Sequence, residues 1–150
     1  MAKVQYFGKY RAKVHNVNDP EKRGRIRVLC PKVLGQAVSN WCEPCIPVAY
    51  NFGGDFAIPK VGETVWVEFE GGDVNKPIYT GGWWSTNSTP SSGYNTENRF
   101  ITWGDCKIEM TSNNSLKLYV GSNVVTVSPS GVNISASSFT VNGKRPQYEE

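Results

Sequence analysis

The stretch that most constrains the fold comprises residues 62–84, with the sequence GETVWVEFEGGDVNKPIYTGGWW. Val65, Val67 and Phe69 alternate with polar or amphipathic neighbours, a pattern that predicts a strand with one buried and one solvent-facing side. Two glycines and an aspartate then end this strand. Pro77 has no backbone N–H to donate within a central strand, so it marks the first residue of the next strand. The stretch therefore predicts an antiparallel hairpin that closes a small β-barrel.

The distribution of turn residues predicts an all-β protein. The 15 glycines and 9 prolines are spread along all 150 residues, so no long helical period has room to develop. A hydrophobic content of 39% with 19% charged residues is typical of a globular chain. No segment approaches the ~18 consecutive apolar residues of a membrane span, and the first residues lack the apolar core of a signal peptide. We therefore expect a soluble protein that is made in the cytoplasm.

Three further strands are predicted before the hairpin. Residues 9–16 alternate between basic and apolar side chains, and residues 25–30 resume that alternation after a polar turn. Residues 41–49 form a third strand interrupted by Pro44 and Pro47, which places it at an edge or at a bulge. The segment between the second and third strands is either a loop or a single helical turn, and a loop precedes the hairpin. Five strands joined by unequal, glycine-rich loops are typical of an oligonucleotide/oligosaccharide-binding (OB) barrel.

We place the OB barrel in residues 1–84 and a linker in residues 85–98, because the second segment is rich in Ser, Thr and Asn. Residues 99–150 form short alternating runs separated by polar turns and end in a polar tail. The apolar pairs of these runs are Ile108 and Met110, Leu116 and Leu118, Val125 and Val127, Val132 and Ile134, and Phe139 and Val141. The pattern predicts a β-meander with one apolar face and open edges, which needs either the barrel or copies of itself to pack on.

The charge is polarised along the chain. Residues 1–33 carry nine Lys/Arg and two Asp/Glu, a balance of +7, whereas residues 34–150 carry seven Lys/Arg and eleven Asp/Glu, a balance of −4. A basic portion on a β-barrel is typical of nucleic-acid binding. It is equally what a subunit shows when it docks on an acidic neighbour.

The aromatic residues help to decide between these two interpretations. Binding of single-stranded nucleic acid needs aromatic side chains interleaved with basic ones, so that bases can stack. Tyr10 is the aromatic residue of the two basic strands, and its place in the alternation puts it on the apolar face. We expect Trp66, Trp83 and Trp84 to lie away from the basic strands, between subunits or against the linker. An OB module that binds nucleic acid or a glycan is the alternative function, and we expect no specific nucleic-acid partner.

Four cysteines lie in the chain, and Cys42 and Cys45 form a CxxC motif. A zinc site needs a second pair at ligand spacing, but Cys30 and Cys106 stand far apart. A redox CxxC normally opens a helix, whereas a proline and strand-like residues follow here. We expect Cys30 and Cys45 to fill core positions as small hydrophobic side chains, and we predict no bound metal or cofactor.

The residue types do not favour an enzyme. His15 is the single histidine, so a catalytic triad would have to use it, and it lies on a basic strand that we expect to be solvated. Glu68 and Glu70 share the solvent-facing side of one strand, as a glycosidase pair could. No flanking residue would raise the pKa of one of the two carboxyl groups so that it could act as the general acid. We therefore interpret both as surface residues. We predict no catalytic residues.

Three segments resemble the OB domain of the central spike or hub proteins of contractile-tail phage baseplates. The same domain occurs in the valine-glycine repeat protein G spikes of type VI secretion. The most specific segments are DPEKRGRIRV at residues 19–28 and PKVGETVWVEFEGGD at residues 59–73, and WCEPCIP at residues 41–47 adds to them. The resemblance covers about residues 10–84.

The resemblance implies a structural role. In that family a trimeric β-helix needle of short strands follows the OB domain, and residues 105–143 look like a short version of it. The implied protein is a homotrimeric, non-enzymatic spike in the virion tail baseplate, which plugs the tail tube and helps to pierce the host envelope. The implied partners are its own copies, tail tube or baseplate hub proteins, a tip-capping protein and the host cell envelope. The chain has no room for a lysozyme-like insert, and His15 cannot supply the His-x-His iron ligands of some needle tips.

Overall fold

The computed structural model describes residues 4–86, 88–90 and 96–145. Part of the predicted linker and most of the predicted polar tail lie outside these residues. Contacts divide the chain into two compact units, Met1–Ser88 and Thr89–Glu150. Each unit contains its own five-stranded sheet. Among the described residues, no helix is long and apolar enough to cross a membrane.

The first unit is a curled sheet that closes part of a barrel, as the OB prediction requires. The strand order is β2-β1-β6-β7-β3, and β4 and β5 form a separate small hairpin. All pairs of the main sheet are antiparallel except β3 and β7, which run parallel. The elements are β1 (Tyr10–Asn16), β2 (Arg27–Leu29), α1 (Pro31–Leu34), β3 (Glu43–Pro44), β4 (Ala49–Tyr50), β5 (Gly53–Gly54), β6 (Thr64–Phe69) and β7 (Pro77–Gly82).

The hairpin predicted from residues 62–84 is confirmed. Val65, Val67 and Phe69 are 2%, 0% and 6% exposed, while the alternating residues of β6 are half-buried on the other side. Strand β7 begins at Pro77, where the missing N–H disturbs no pairing in the middle of the strand. The local pattern of polar and apolar residues was therefore sufficient to place both strands.

The core of the first unit lies on one side of this sheet. Tyr79 is buried in this core, and its hydroxyl donates a hydrogen bond of 2.7 Å to the carbonyl oxygen of Gly24. Burial of each large aliphatic side chain contributes about 1.5–3 kcal/mol, so the hydrophobic core is the main source of stability for the first unit. The buried hydrophobic residues are Ala12, Val14, Ile26, Val28, Cys30, Cys42, Val65, Val67, Phe69 and Tyr79.

Three local features of the first unit refine the sequence expectations. The ambiguous segment after the second strand contains helix α1, a single turn that starts at Pro31. The third strand is reduced to β3, at the sheet edge, because neither Pro44 nor Pro47 can donate to a ladder. The expected loop at residues 51–56 was wrong in part, since Gly53–Gly54 pair with β4. A backbone without a Cβ can pass close to its partner there.

The second unit is an antiparallel meander with the strand order β12-β11-β10-β9-β8. Each strand pairs with the next one along the chain, so among the described residues the edge strands β8 and β12 each have one paired side. The predicted β-meander is confirmed in this region. Its strands are β8 (Asn98–Trp103), β9 (Cys106–Thr111), β10 (Ser115–Val120), β11 (Asn123–Ser128) and β12 (Gly131–Ser135).

The last predicted run of the meander was wrong. Phe139 and Val141 form no strand, and a single bridge joins Val141 to Lys144. Asn142 and Gly143 have φ values of 49° and 76°, so the backbone turns back directly after Val141 and does not continue as an extended strand. Alternating apolar residues alone did not reveal how tight this turn is.

Candidate functional site

One face of the second unit carries aligned rows of apolar side chains. The central row contains Ile101, Ile108, Leu118, Val125 and Ile134, which lie opposite one another on successive strands. A neighbouring row places Met110, Leu116, Val127 and Val132 side by side, and a third places Trp103, Cys106 and Val120 side by side. We call these residues together the apolar face.

The apolar face is open to solvent in the single chain. Ile101, Trp103 and Val132 are 70%, 61% and 67% exposed, and even Leu118 in the middle of the sheet is 45% exposed. Soluble monomers rarely expose contiguous apolar surface of this kind unless it serves an interaction. Each side chain that a partner covers fully would contribute about 1.5–3 kcal/mol. The apolar face is therefore a candidate interaction surface.

The opposite face of the same sheet satisfies its own polar groups. Glu109 is 7% exposed, and its Oε1 accepts hydrogen bonds from Lys107 Nζ at 2.9 Å and Asn98 Nδ2 at 3.1 Å. Tyr119 donates its hydroxyl hydrogen to Glu109 Oε2 at 2.8 Å. The Lys107 ammonium also lies 5.1 Å from the ring centroid of Phe100 and 5.4 Å from that of Tyr119. This arrangement is called the Glu109 cluster below.

The Glu109 cluster is electrostatically consistent. The hydrogen bond from Lys107 and that from Tyr119 lower the pKa of Glu109, so the carboxylate stays ionised. Burial and the adjacent carboxylate raise the pKa of Tyr119, so its hydroxyl keeps the proton that it donates. A network in which each member is paired needs no partner from outside. The two faces of the sheet thus differ in kind, because one pairs its polar groups within the chain and the other exposes apolar side chains.

On the first unit, the outer face of the sheet brings a cation against two indole rings. The guanidinium carbon of Arg11 lies 4.5 Å from the ring centroid of Trp83 and 5.6 Å from that of Trp66. The contact arises because β1 pairs with β6 so that Arg11 is directly opposite Trp66. Trp83 Nε1–H donates to the carbonyl oxygen of Val65 at 3.3 Å, which fixes that ring. We call these three side chains the Arg11 cluster.

The Arg11 cluster corrects one sequence expectation. Trp66 and Trp83 do not lie away from the basic strands but contact the centre of β1. Tyr10 is placed as predicted, with its ring 5.7 Å from that of Phe69 on the apolar side. The sequence signal that was missed is the pairing of two strands about fifty residues apart, which local alternation does not encode.

A groove lies beside the Arg11 cluster and is contained within the first unit. Its volume is about 560 Å³. Trp84, which is 67% exposed, and the half-buried Trp83 supply its aromatic wall. The lining residues are Gly62, Glu63, Thr64, Gly82, Trp83, Trp84, Ser85 and Ser88. We call this feature the Trp84 groove.

Part of the basic charge near the N-terminus is paired within the first unit. Lys9 bridges to Glu68 at 2.5 Å. Arg23 bridges to Glu43 at 3.1 Å and Arg25 to Asp19 at 2.6 Å. These pairs reduce the free positive charge that a polyanion could neutralise.

The expected core position of Cys30 is confirmed, whereas that of Cys45 was wrong. Cys30 and Cys42 are buried, whereas Cys45 is exposed. The backbone of Cys42 exchanges hydrogen bonds with Ile26. Cys45 lies three residues further on, so the alternation of an extended chain places its side chain on the opposite side. Burial raises the pKa of the Cys30 thiol and raises that of Cys42 to about 11. Both behave as small hydrophobic core residues.

The remaining candidates do not assemble into a reactive site. His15 is exposed on β1, as expected. Glu70 lies in a short helical turn after β6, where it bridges to Lys76 at 3.7 Å, so it does not share a strand with Glu68. Within residues 4–86, 88–90 and 96–145, no group of three or more His, Cys, Asp or Glu side chains could hold a metal ion.

These features define an all-β protein with an OB-type first unit and a meander whose apolar face is uncovered. The family model of the type VI secretion system/phage-baseplate injector OB domain matches residues 10–84, which is half of the chain. The chain belongs to this family. The family is a structural one and not an enzyme family. No curated protein matches the chain.

Proposed function

We propose that the chain is a structural component of the phage tail baseplate. It forms a homotrimeric central spike or hub that plugs the tip of the tail tube and helps to pierce the host envelope. Membership of the injector OB family supports a baseplate role and a location in the virion tail. The single observation that carries the trimer is the apolar face, which is uncovered in one chain.

Assembly around a common axis would solve both problems of the isolated meander. Three chains would bury their apolar faces against one another, and their open strand edges would pair between subunits. The Glu109 cluster supports this orientation, because its groups are already paired and suit the outside of a needle. A rigid needle of this kind transmits axial force and requires no catalysis.

The proposed assembly has three kinds of neighbour besides its own copies. Tail tube or baseplate hub proteins would hold the first unit, a tip-capping protein would close the needle, and the host envelope would be met on infection. Internal pairing of Lys9, Arg23 and Arg25 supports protein contacts over specific nucleic-acid binding by this surface.

The solution mass of the full chain tests the trimer. Light scattering coupled to size exclusion should give three times 16.6 kDa. Ile134→Lys puts a charge on the central row of the apolar face and should dissociate the particle. Asn133→Lys is the matched control, because it lies next in sequence on the opposite face and should leave the mass unchanged. A monomeric parent chain, or equal behaviour of the two variants, would contradict the proposal.

A further inference from the structure

The geometry of the Trp84 groove points to a binding site for a pyranose glycan on the first unit. We propose that the exposed Trp84 ring stacks on a sugar and that the polar groups along the groove bind its hydroxyls. This proposal concerns the first unit and is independent of the trimer.

The size of the groove agrees with an oligosaccharide ligand. The groove volume of about 560 Å³ lies within the range of about 300–1,000 Å³ that is usual for small-ligand sites. Trp84 is the exposed aromatic residue of the lining and offers a flat apolar surface to the C–H groups of a pyranose.

The polar lining has the chemistry that hydroxyl groups require. Glu63 contributes a carboxylate that is a strong acceptor, although its Oε2 already accepts the backbone N–H of Lys60 at 2.9 Å. Ser85 Oγ donates to Ser88 Oγ at 3.0 Å, and Ser88 Oγ donates to the carbonyl oxygen of Ser85 at 2.7 Å. Both hydroxyl oxygens keep a lone pair that can accept a hydrogen bond from a ligand hydroxyl. Thr64 is not available, because its hydroxyl donates to the carbonyl oxygen of Trp83. The groove therefore offers one charged acceptor and two hydroxyl oxygens that accept, around an aromatic platform.

The Arg11 cluster prepares the groove without contacting the ligand. Arg11 covers Trp83, and the Val65 carbonyl holds the indole N–H of the same ring, so the inner wall is fixed before binding. Ordering a side chain in advance reduces the entropic cost of association. Arg11 is thus a positioning residue, and Trp84 is the contact residue.

A glycan fits this groove better than single-stranded nucleic acid does. Base stacking needs a row of free ring faces beside cations. Here Arg11 already lies over Trp66 and Trp83, which leaves Trp84 as the free platform of the cluster and groove. The Glu63 carboxylate would in addition repel a phosphate backbone.

Ligand titration of the full chain tests the proposal. The probes are N,N′,N″-triacetylchitotriose, maltotriose, isomaltotriose and the oligonucleotide (dT)12, with tryptophan fluorescence and saturation-transfer difference NMR as readouts. At least one oligosaccharide should bind saturably, with transfer strongest at protons of a ring face. Trp84→Ala should weaken its binding by about tenfold, which corresponds to ~1.4 kcal/mol. Glu63→Gln should also weaken it.

Two controls make the result interpretable. Phe52→Ala removes a fully exposed aromatic side chain that lies outside the groove, and it should leave the glycan affinity unchanged. Circular dichroism should show that Trp84→Ala still folds, as expected for a ring that is 67% exposed. The proposal is overturned if no oligosaccharide binds at about 10 mM, or if (dT)12 binds in their place. It is also overturned if Trp84→Ala changes the mass of the particle and not the glycan affinity.

Discussion

Arg25 donates from two guanidinium nitrogens to one carboxylate oxygen of Asp19, with Nη2 at 2.6 Å and Nε at 3.1 Å from Oδ1. The other oxygen accepts the backbone N–H groups of Arg23 and Arg25 at 2.8 and 3.2 Å. The side chains of Asp19 and Arg25 are only 4% and 10% exposed. This one carboxylate therefore holds the whole turn that leads into β2.

The pKa of Asp19 makes this turn sensitive to acid. The Arg25 guanidinium, together with three backbone N–H groups, holds the pKa of Asp19 well below its usual range. The unfolded chain takes up the proton near pH 3.9, so the stabilisation is complete above about pH 5 and is lost as the pH falls below about 4. Asp19→Asn should lower stability at pH 7 and flatten the acid dependence of urea unfolding. Glu70→Gln, on an exposed carboxylate, is the control, and parallel pH curves for parent and Asp19→Asn would refute the linkage.

The hydrogen bond from the Tyr79 hydroxyl to the Gly24 carbonyl oxygen should contribute measurably to the stability of the first unit. Tyr79→Phe leaves the buried carbonyl oxygen of Gly24 without its donor, and such a loss costs about 1–3 kcal/mol. Urea unfolding should show a lower midpoint with an unchanged slope. Tyr50→Phe, on a side chain that is 69% exposed, should change nothing. Equal midpoints for the two variants would show that the hydroxyl gains no net stability from its partner.

The stability of the turn between β6 and β7 should depend on the backbone conformation of Gly71 and not on steric contacts of an added side chain. Gly71 has a φ of 59°, and no atom lies within 4 Å of the position that a Cβ would occupy. Gly71→Ala should therefore destabilise the unit by about 1 kcal/mol through strain alone. Gly71→Asn should cost less, because asparagine tolerates the left-handed region. Thermal unfolding of the two variants tests this order, and an equal or reversed order would contradict it.

Local sequence patterns were enough to predict most of the secondary structure. Strand β6 follows from the period-2 placement of Val65 and Val67, and the start of β7 follows from Pro77. Both signals act within a few residues and need no knowledge of distant strands. The all-β class and the meander were predictable for the same reason.

Side-chain neighbourhoods depended on information that is not local. The Arg11 cluster requires β1 to pair with β6 in one particular register. The pairing of β6 with β7 then shifts between Val65 and Val67, at the place where Gly81 has a φ of 59°, and Trp83 follows this irregularity. A one-residue shift moves side chains to the other face, so alternation in sequence could not place the indole rings. The burial of Cys42 in place of Cys45 likewise depends on a partner that is distant in sequence, because the backbone of Cys42 pairs with that of Ile26.

Thiol labelling connects the buried core with the proposed assembly. Cys30 and Cys42 are buried, and burial raises their thiol pKa values, so both should react with a disulfide reagent only on unfolding. Cys45 is exposed and should react rapidly. Cys106 is exposed in the single chain, but it lies on the apolar face opposite Trp103 and Val120.

Assembly through the apolar face should therefore protect Cys106. The parent chain and Asn133→Lys should each show one rapidly reacting thiol, which Cys45→Ser removes. Ile134→Lys should show two, because dissociation uncovers Cys106 while the core of the first unit stays folded. Mass spectrometry of the labelled peptides identifies the residue in each case. Rapid labelling of Cys106 in the parent chain, at the rate found in Ile134→Lys, would mean that this face is not the contact between subunits.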